Sequence, residues 1–192
     1  MKNQLLEYIS RYITLSEEER QAVIENIPVR TFKKGTVLLR EGEISTECYF
    51  NLKGLVRQYY LVDGEEKTTF FYTEEQVIAS LESATKKIPS KHYLVCEENT
   101  TLTIGTYETE NEFYKRFPKF EQLSRILSGE NFGEYQELFA SFKTSSPEER
   151  YLDLLKNRPE LIKRVPQYQL ASYIGVSPES LSRIRKRIFQ KK

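Results

Sequence analysis

Residues 167–185 read QYQLASYIGVSPESLSRIR, and the spacing is that of a helix-turn-helix. Leu170, Ala171 and Ile174 stripe a first short helix. Gly175 stands where the chain must turn sharply, and Val176 plugs the corner. Ser177 is placed to N-cap a second helix, Pro178 suits its first position, and Glu179 suits its positive end. Leu181 and Ile184 point back to the core. Glu179, Ser180, Arg183 and Lys186 are left on the outer face, where a recognition helix meets base edges in the major groove. The competing reading is an ordinary helical hairpin with a basic surface.

Charge favours the motif. The whole chain is nearly neutral, at +1. Residues 150–192, however, hold eleven Lys or Arg against three Asp or Glu, a net of +8. Residues 1–149 hold eighteen against twenty-five, a net of −7. An acidic body carrying a basic module points to nucleic acid. The run RIRKRIFQKK continues the second helix, so Arg185, Arg187, Lys191 and Lys192 are expected at phosphates, acting through counterion release.

A chain of 192 residues suits one larger and one smaller domain. Thirteen Tyr and eleven Phe supply enough apolar area for a packed core. No apolar run approaches the ~18 residues of a membrane span, and MKNQLLEYISRYI is too polar and acidic for a signal peptide. Cys48 and Cys96 have neither metal spacing nor a disulfide framework. A cytoplasmic protein with reduced thiols is expected.

Residues 2–27 read as helical, with a capping box at Ser16 and Glu19; Pro28 ends the run. From 29 to 107, Val-, Tyr-, Phe- and Thr-rich runs alternate with Gly-centred turns. Asp63-Gly64 is a hairpin signal. Strands at this spacing imply a small antiparallel barrel or jelly roll, with a short helix in TEEQVIASLESATKKIPSK. Helical periodicity returns from about Thr109 to Phe142, where Phe120, Leu123 and Leu127 recur on one face. Gly129 and Gly133 either break this helix or let a partner helix approach. Ser146-Pro147-Glu148-Glu149 opens a further helix, whose Tyr151, Leu152 and Leu155 are expected under the helix-turn-helix. The fold class expected is α+β: a β-barrel or jelly roll, a long dimerisation helix and a C-terminal all-α helix-turn-helix of winged type.

The order of these parts, the motif Phe32, Lys34, Gly35, Leu38 and Gly42, and YFNLKGLVR at 49–57 together resemble the Crp/Fnr family of bacterial transcription regulators. The segment EERYLDLLKNRPELIKRVPQYQLASYIGVSPESLSRIRK is especially similar to members from the Bacteroidetes. The resemblance implies a cyclic-nucleotide-binding-like sensor domain at 1–118, a dimerisation helix and hinge at 119–145, and a DNA-binding domain at 146–192. It implies a homodimer on a palindromic operator of double-stranded DNA, with RNA polymerase as a further partner and no membrane partner. Glu179, Arg183 and Lys186 match positions that contact bases. Arg reads guanine O6 and N7, and Glu accepts from cytosine N4. Pro178 stands where well-known members carry Arg, which implies a different half-site. Gln167, Tyr168, Ser177 and Ser180 match the neighbourhood of phosphate contacts.

The effector stretch departs from the family pattern. Cyclic-nucleotide binders of this fold use a Gly-Glu pair followed by Arg-Ser or Arg-Thr to hold phosphate and ribose. Here the stretch is VIASLESATKKIPSK, without Gly. Glu82 and Ser83 stand near the acidic position, and Ser90 and Lys91 near the basic one. Lysine gives a point charge without the guanidinium fork. Two distant cysteines do not supply the ligands of an iron–sulfur cluster, and His92 is the sole histidine, so no cofactor is expected and the effector is unknown. No nucleophile–base pair, metal cluster or phosphate loop marks an enzyme. The function expected is a sequence-specific transcription regulator with a degenerate effector pocket. The alternative is a ligand-binding signalling module that keeps the fold without regulating transcription.

Overall fold

A computed structural model describes residues 2–190, with the side chain of Lys2 set aside. Lys191 and Lys192, expected at phosphates, lie outside the described residues. The chain divides into two compact units. One takes residues up to 58 together with 71–129; the other takes 59–70 together with residues from 130 onward.

The first unit begins with two helices, α1 (Lys2–Ser10) and α2 (Glu17–Asn26). The helix expected over 2–27 is thus interrupted. Ser16 restarts it: its hydroxyl accepts from the Glu19 amide while the Glu19 carboxylate accepts from the Ser16 amide, which satisfies two otherwise orphaned donors.

Next along the chain, among the described residues, come eight strands: β1 (Val29–Phe32), β2 (Val37–Leu39), β3 (Glu47–Lys53), β4 (Val56–Val62), β5 (Glu65–Tyr72), β6 (Val77–Ile78), β7 (Tyr93–Cys96) and β8 (Thr100–Thr106). They form two four-stranded sheets, ordered β1-β8-β3-β6 and β2-β7-β4-β5. The sheets do not close on each other, so of the two expected forms the jelly roll is the one adopted. Strand β3 is buried at every position from Cys48 to Leu52, although a half-exposed strand would alternate. Both of its faces are covered. Phe50 and Leu52 join Leu5, Leu6, Val23, Phe120 and Leu123 in one core cluster, each such side chain contributing roughly 1.5–3 kcal/mol when fully buried.

Between β6 and β7 lies the short helix α3 (Leu81–Lys86). Helix α4 (Tyr107–Arg116) stops at Phe117, and α5 (Pro118–Thr144) starts at the proline, which suits a first turn and removes an orphan amide. Helix α5 runs unbroken through Gly129 and Gly133, so of the two readings of these glycines the break does not occur. A Cβ at either glycine would meet nothing within 4 Å. Leu127 is half-buried and packs against the first unit's core cluster. The exposed apolar residues of α5 are Ile126, Phe132, Tyr135, Phe139 and Phe142. No helix among the described residues is long and apolar enough to cross a membrane.

The second unit contains the turn between β4 and β5, the end of α5, and helices α6 (Pro147–Asn157), α7 (Pro159–Arg164), α8 (Gln167–Tyr173) and α9 (Pro178–Gln190). Asp63 and Gly64 both take positive φ, 53° and 79°, the conformation of a type I′ hairpin turn. Its interior holds Tyr151, Leu154, Leu161, Val165, Leu170, Ala171, Ile174, Leu181 and Ile184. Leu154 takes the place expected for Leu152, which is exposed, while Leu155 is half-buried. The offset follows from Tyr151: three residues, not one, return to the same face of a helix. The strands of a wing are not formed among the described residues beyond α5, which are helical between short connections.

Candidate nucleic-acid interface

The corner between α8 and α9 is built from main-chain bonds. The Val176 amide donates to the Ala171 carbonyl at 2.9 Å, and the Gly175 amide to the Ser172 carbonyl at 3.0 Å. With Gly175 at φ +75°, this is a Schellman ending. Ser177 then caps α9: its hydroxyl accepts from the Ser180 amide at 3.3 Å. Arg150 reinforces the corner from below. Its Nε donates to the Ile174 carbonyl at 3.0 Å, its Nη1 reaches the Phe142 and Ser145 carbonyls, and its guanidinium lies over the Phe142 ring at 4.6 Å.

On this frame Leu181 and Ile184 are buried, and Glu179, Arg183 and Lys186 are exposed along the opposite side of α9. Ser180 is half-buried beside the cap. The Glu179 carboxyl is held below its ordinary range, chiefly by a hydrogen bond with Ser177 and then by main-chain bonding, so it stays an anion and an acceptor. Arg183 folds back along its own helix. Its Nε lies 3.4 Å from the Glu179 carbonyl and its Nη2 3.4 Å from Ser180 Oγ. Both contacts are longer than a typical hydrogen bond, so little is lost when the fork turns outward. Ser177 and Pro178 are exposed at the start of α9, and Gln167 and Tyr168 at the start of α8. Arg187 differs from a free cation: its Nη2 lies 3.1 Å from Glu148 in the first turn of α6. The sequence reading omits Ser182, which is exposed on the same side of α9. Its position three after Glu179 and four before Lys186 was the available signal.

Within the effector stretch the Glu82 carboxyl is held low by Lys86 and then by Lys91, and the two serines are engaged with the main chain. Ser83 and Ser90 are buried, while Glu82 and Lys91 are exposed. Ser83 Oγ donates to the Ile88 carbonyl at 2.6 Å and accepts from the Ser45 amide at 2.9 Å. Ser90 exchanges main-chain bonds with the loop before β3, accepting from Gly42 and donating to Glu43, each at 2.8 Å. Glu82 pairs with Lys86 one turn on, at 2.9 Å. The two serines thus hold α3 and its neighbouring loop together.

Neither thiol is poised to react. Burial, and then the Glu110 carboxylate that accepts from Cys48 Sγ at 2.9 Å, push the Cys48 pKa well up. Burial pushes Cys96 up to about 11. Reactive cysteines are held low instead. His92 is half-buried, and burial lowers its pKa. Among the described residues, no three His, Cys, Asp or Glu side chains are grouped to hold a metal ion.

Residues 29–116 match the family described as the cyclic nucleotide-binding domain. No curated protein matches the sequence significantly. Several solved structures share the fold. The c-di-GMP-responsive global regulator CLP of Xanthomonas campestris is 15% identical, with 89% of this chain and 90% of that chain covered and a TM-score of 0.71. A transcriptional regulator of the Crp/Fnr family from Eubacterium rectale is 19% identical over 92% and 84% of the two chains, with a TM-score of 0.69. A mutant of CooA from Carboxydothermus hydrogenoformans is 13% identical over 95% and 83%, also with a TM-score of 0.69.

Proposed function

From a chain whose residues 29–116 belong to the cyclic nucleotide-binding domain family and whose fold is that of Crp/Fnr regulators, we propose a sequence-specific, DNA-binding transcription regulator, homodimeric and cytoplasmic, and not an enzyme. The carrying observation is the α9 row. Glu179, Arg183 and Lys186 are exposed together on a helix whose start is fixed by the Schellman corner and the Ser177 cap. In this reading residues 1–118 sense, 119–145 pair two subunits, and 146–192 bind the operator. Glu179, Arg183, Lys186 and the neighbouring Ser182 face base edges. Gln167, Tyr168, Ser177, Pro178 and Ser180 line the phosphate approach. Arg187 reaches phosphate by exchanging its partner Glu148. A symmetric dimer places two such helices about 34 Å apart, one turn of DNA.

Selection of bound genomic fragments tests the reading. A two-fold symmetric motif should emerge; fragments no more alike than the input would sink it. On the selected site, Arg183→Ala should cost about 1–3 kcal/mol and lower the ratio of specific to non-specific binding. Equal loss on all sequences would make Arg183 a phosphate contact.

The effector pocket is read as degenerate. Ser83 and Ser90 are committed to main-chain partners, and Lys91 lacks the bidentate geometry that phosphate recognition favours. Titration calorimetry with cyclic AMP should show no binding, and operator affinity should not respond to it. A micromolar dissociation constant coupled to tighter operator binding would overturn this part of the proposal.

A further inference from the structure

The end of α5 and the corner of the helix-turn-helix belong to one compact unit, which takes residues from 130 onward. Only Ser145 and Ser146 separate α5 from α6. A helix ends with carbonyls that no amide of its own can reach. At the end of α5 the Thr144 hydroxyl and the Ser145 amide meet the Ala140 and Ser141 carbonyls, each at 2.9 Å. Arg150 meets the Phe142 carbonyl and, at 2.5 Å, that of Ser145 in the connection. The same guanidinium donates from Nε to the Ile174 carbonyl at the end of α8, at 3.0 Å. One cation thus stands at the carbonyl ends of two helices, where the dipole of each favours it.

Phe142 closes the arrangement. The Arg150 guanidinium lies 4.6 Å from the centre of its ring, and the ring edge lies against Gly175, where a Cβ would fall 2.7 Å away. The soft dihedrals of Ser145 and Ser146 set the angle between α5 and the helices that follow. A planar fork with fixed donor directions, and a ring packed on it, hold that angle. Along the chain the exposed rings Phe132 and Phe139 precede this brace, and the row Glu179, Arg183 and Lys186 follows it.

We propose that Arg150 is a positioning residue for operator binding: by holding the end of α5 to the corner before α9, it fixes the separation and phase of the two recognition helices in the dimer, and so the half-site spacing that the protein accepts. The proposal rests on the dimeric, DNA-binding reading above. A stiff link between two binding modules raises the effective concentration of the second at one matched spacing. A loose link gives a smaller gain spread over many spacings.

Full-length wild type, Arg150→Ala and Arg150→Lys are compared by fluorescence anisotropy on the operator selected above, on that operator with one or two base pairs inserted between its half-sites, and on a single half-site. Each inserted pair turns one half-site by about 35° relative to the other. The first insertion should cost wild type about 10-fold or more in affinity. Arg150→Ala should bind the single half-site within about twofold of wild type and the operator about 10-fold more weakly, and one insertion should cost it about threefold or less. Arg150→Lys keeps the charge near both helix ends but not the fork. It should shift in the same direction, and it decides the matter if circular dichroism shows the alanine variant unfolded. A general loss of stability would instead weaken binding to every duplex alike. An insertion penalty in the folded variants equal to that of wild type overturns the proposal, as does a wild type indifferent to the insertions. In both cases operator binding is retained and the regulator reading stands. If selection returns no operator that wild type binds, the regulator reading itself falls, and the positioning role with it.

Discussion

Phe139→Glu should convert the proposed dimer into a monomer at micromolar concentration, as read by sedimentation velocity. Phe132 and Phe139 lie seven residues apart on α5 and are 64% and 66% exposed, the largest apolar exposures on that helix. Seven residues are two helical turns, so the two rings form a stripe that a second copy of α5 would cover. Gly129 and Gly133 meet no neighbouring atom within 4 Å, leaving room beside the stripe for another backbone. An unpaired charge buried in such a seam costs about 3–5 kcal/mol, which weakens association more than a hundredfold. Leu127→Glu provides the contrast. That side chain is half-buried against the first unit's own core, so its substitution should lower folding stability. A Phe139→Glu protein that remains dimeric would move the interface elsewhere.

Gly54→Ala should destabilise the first unit by about 2–4 kcal/mol, from left-handed strain and steric overlap together. Gly54 sits at φ +112°, and a Cβ there would lie 2.6 Å from the Thr100 backbone. The turn cannot relax freely. The Gly54 carbonyl accepts from buried Asn51 at 2.8 Å, and its amide donates to Glu74 at 2.9 Å. The melting temperature should fall by roughly 5–15 °C for a chain of this size. Gly64→Ala is the matched control, with φ +79° but open space around the new methyl. It should lose only the conformational part, about 1–2 kcal/mol. Equal losses at both sites would show that contact with Thr100 contributes nothing.

Local signals with a self-contained mechanism were legible from sequence. The Ser16 capping box, the helix start at Ser146, the Asp63-Gly64 turn and the Gly175 corner each depend on a few adjacent residues, and each forms. Features set by distant residues were not. Leu127 packs against a core cluster drawn from α1, α2, β3 and α5, which the sequence alone does not bring together. The partner of Arg187 is Glu148, on another helix, and the role of Arg150 is invisible without the two helix ends it joins. Ser83 and Ser90 looked like ligand groups because sequence does not reveal which main-chain atoms already hold them.

Arg150 reaches the Ile174, Phe142 and Ser145 carbonyls with one guanidinium, while the Phe142 ring lies under it and would touch a Cβ at Gly175, 2.7 Å away. Residues in such direct contact do not contribute additively. Over evolutionary time Phe142, Arg150 and Gly175 are therefore constrained to change as a set. A smaller residue at 142 would remove the contact that a side chain at 175 would make, leaving only the strain of its positive φ, and either change would alter what is required of 150. Drift at the hinge and drift at the helix-turn-helix corner thus become a single heritable trait.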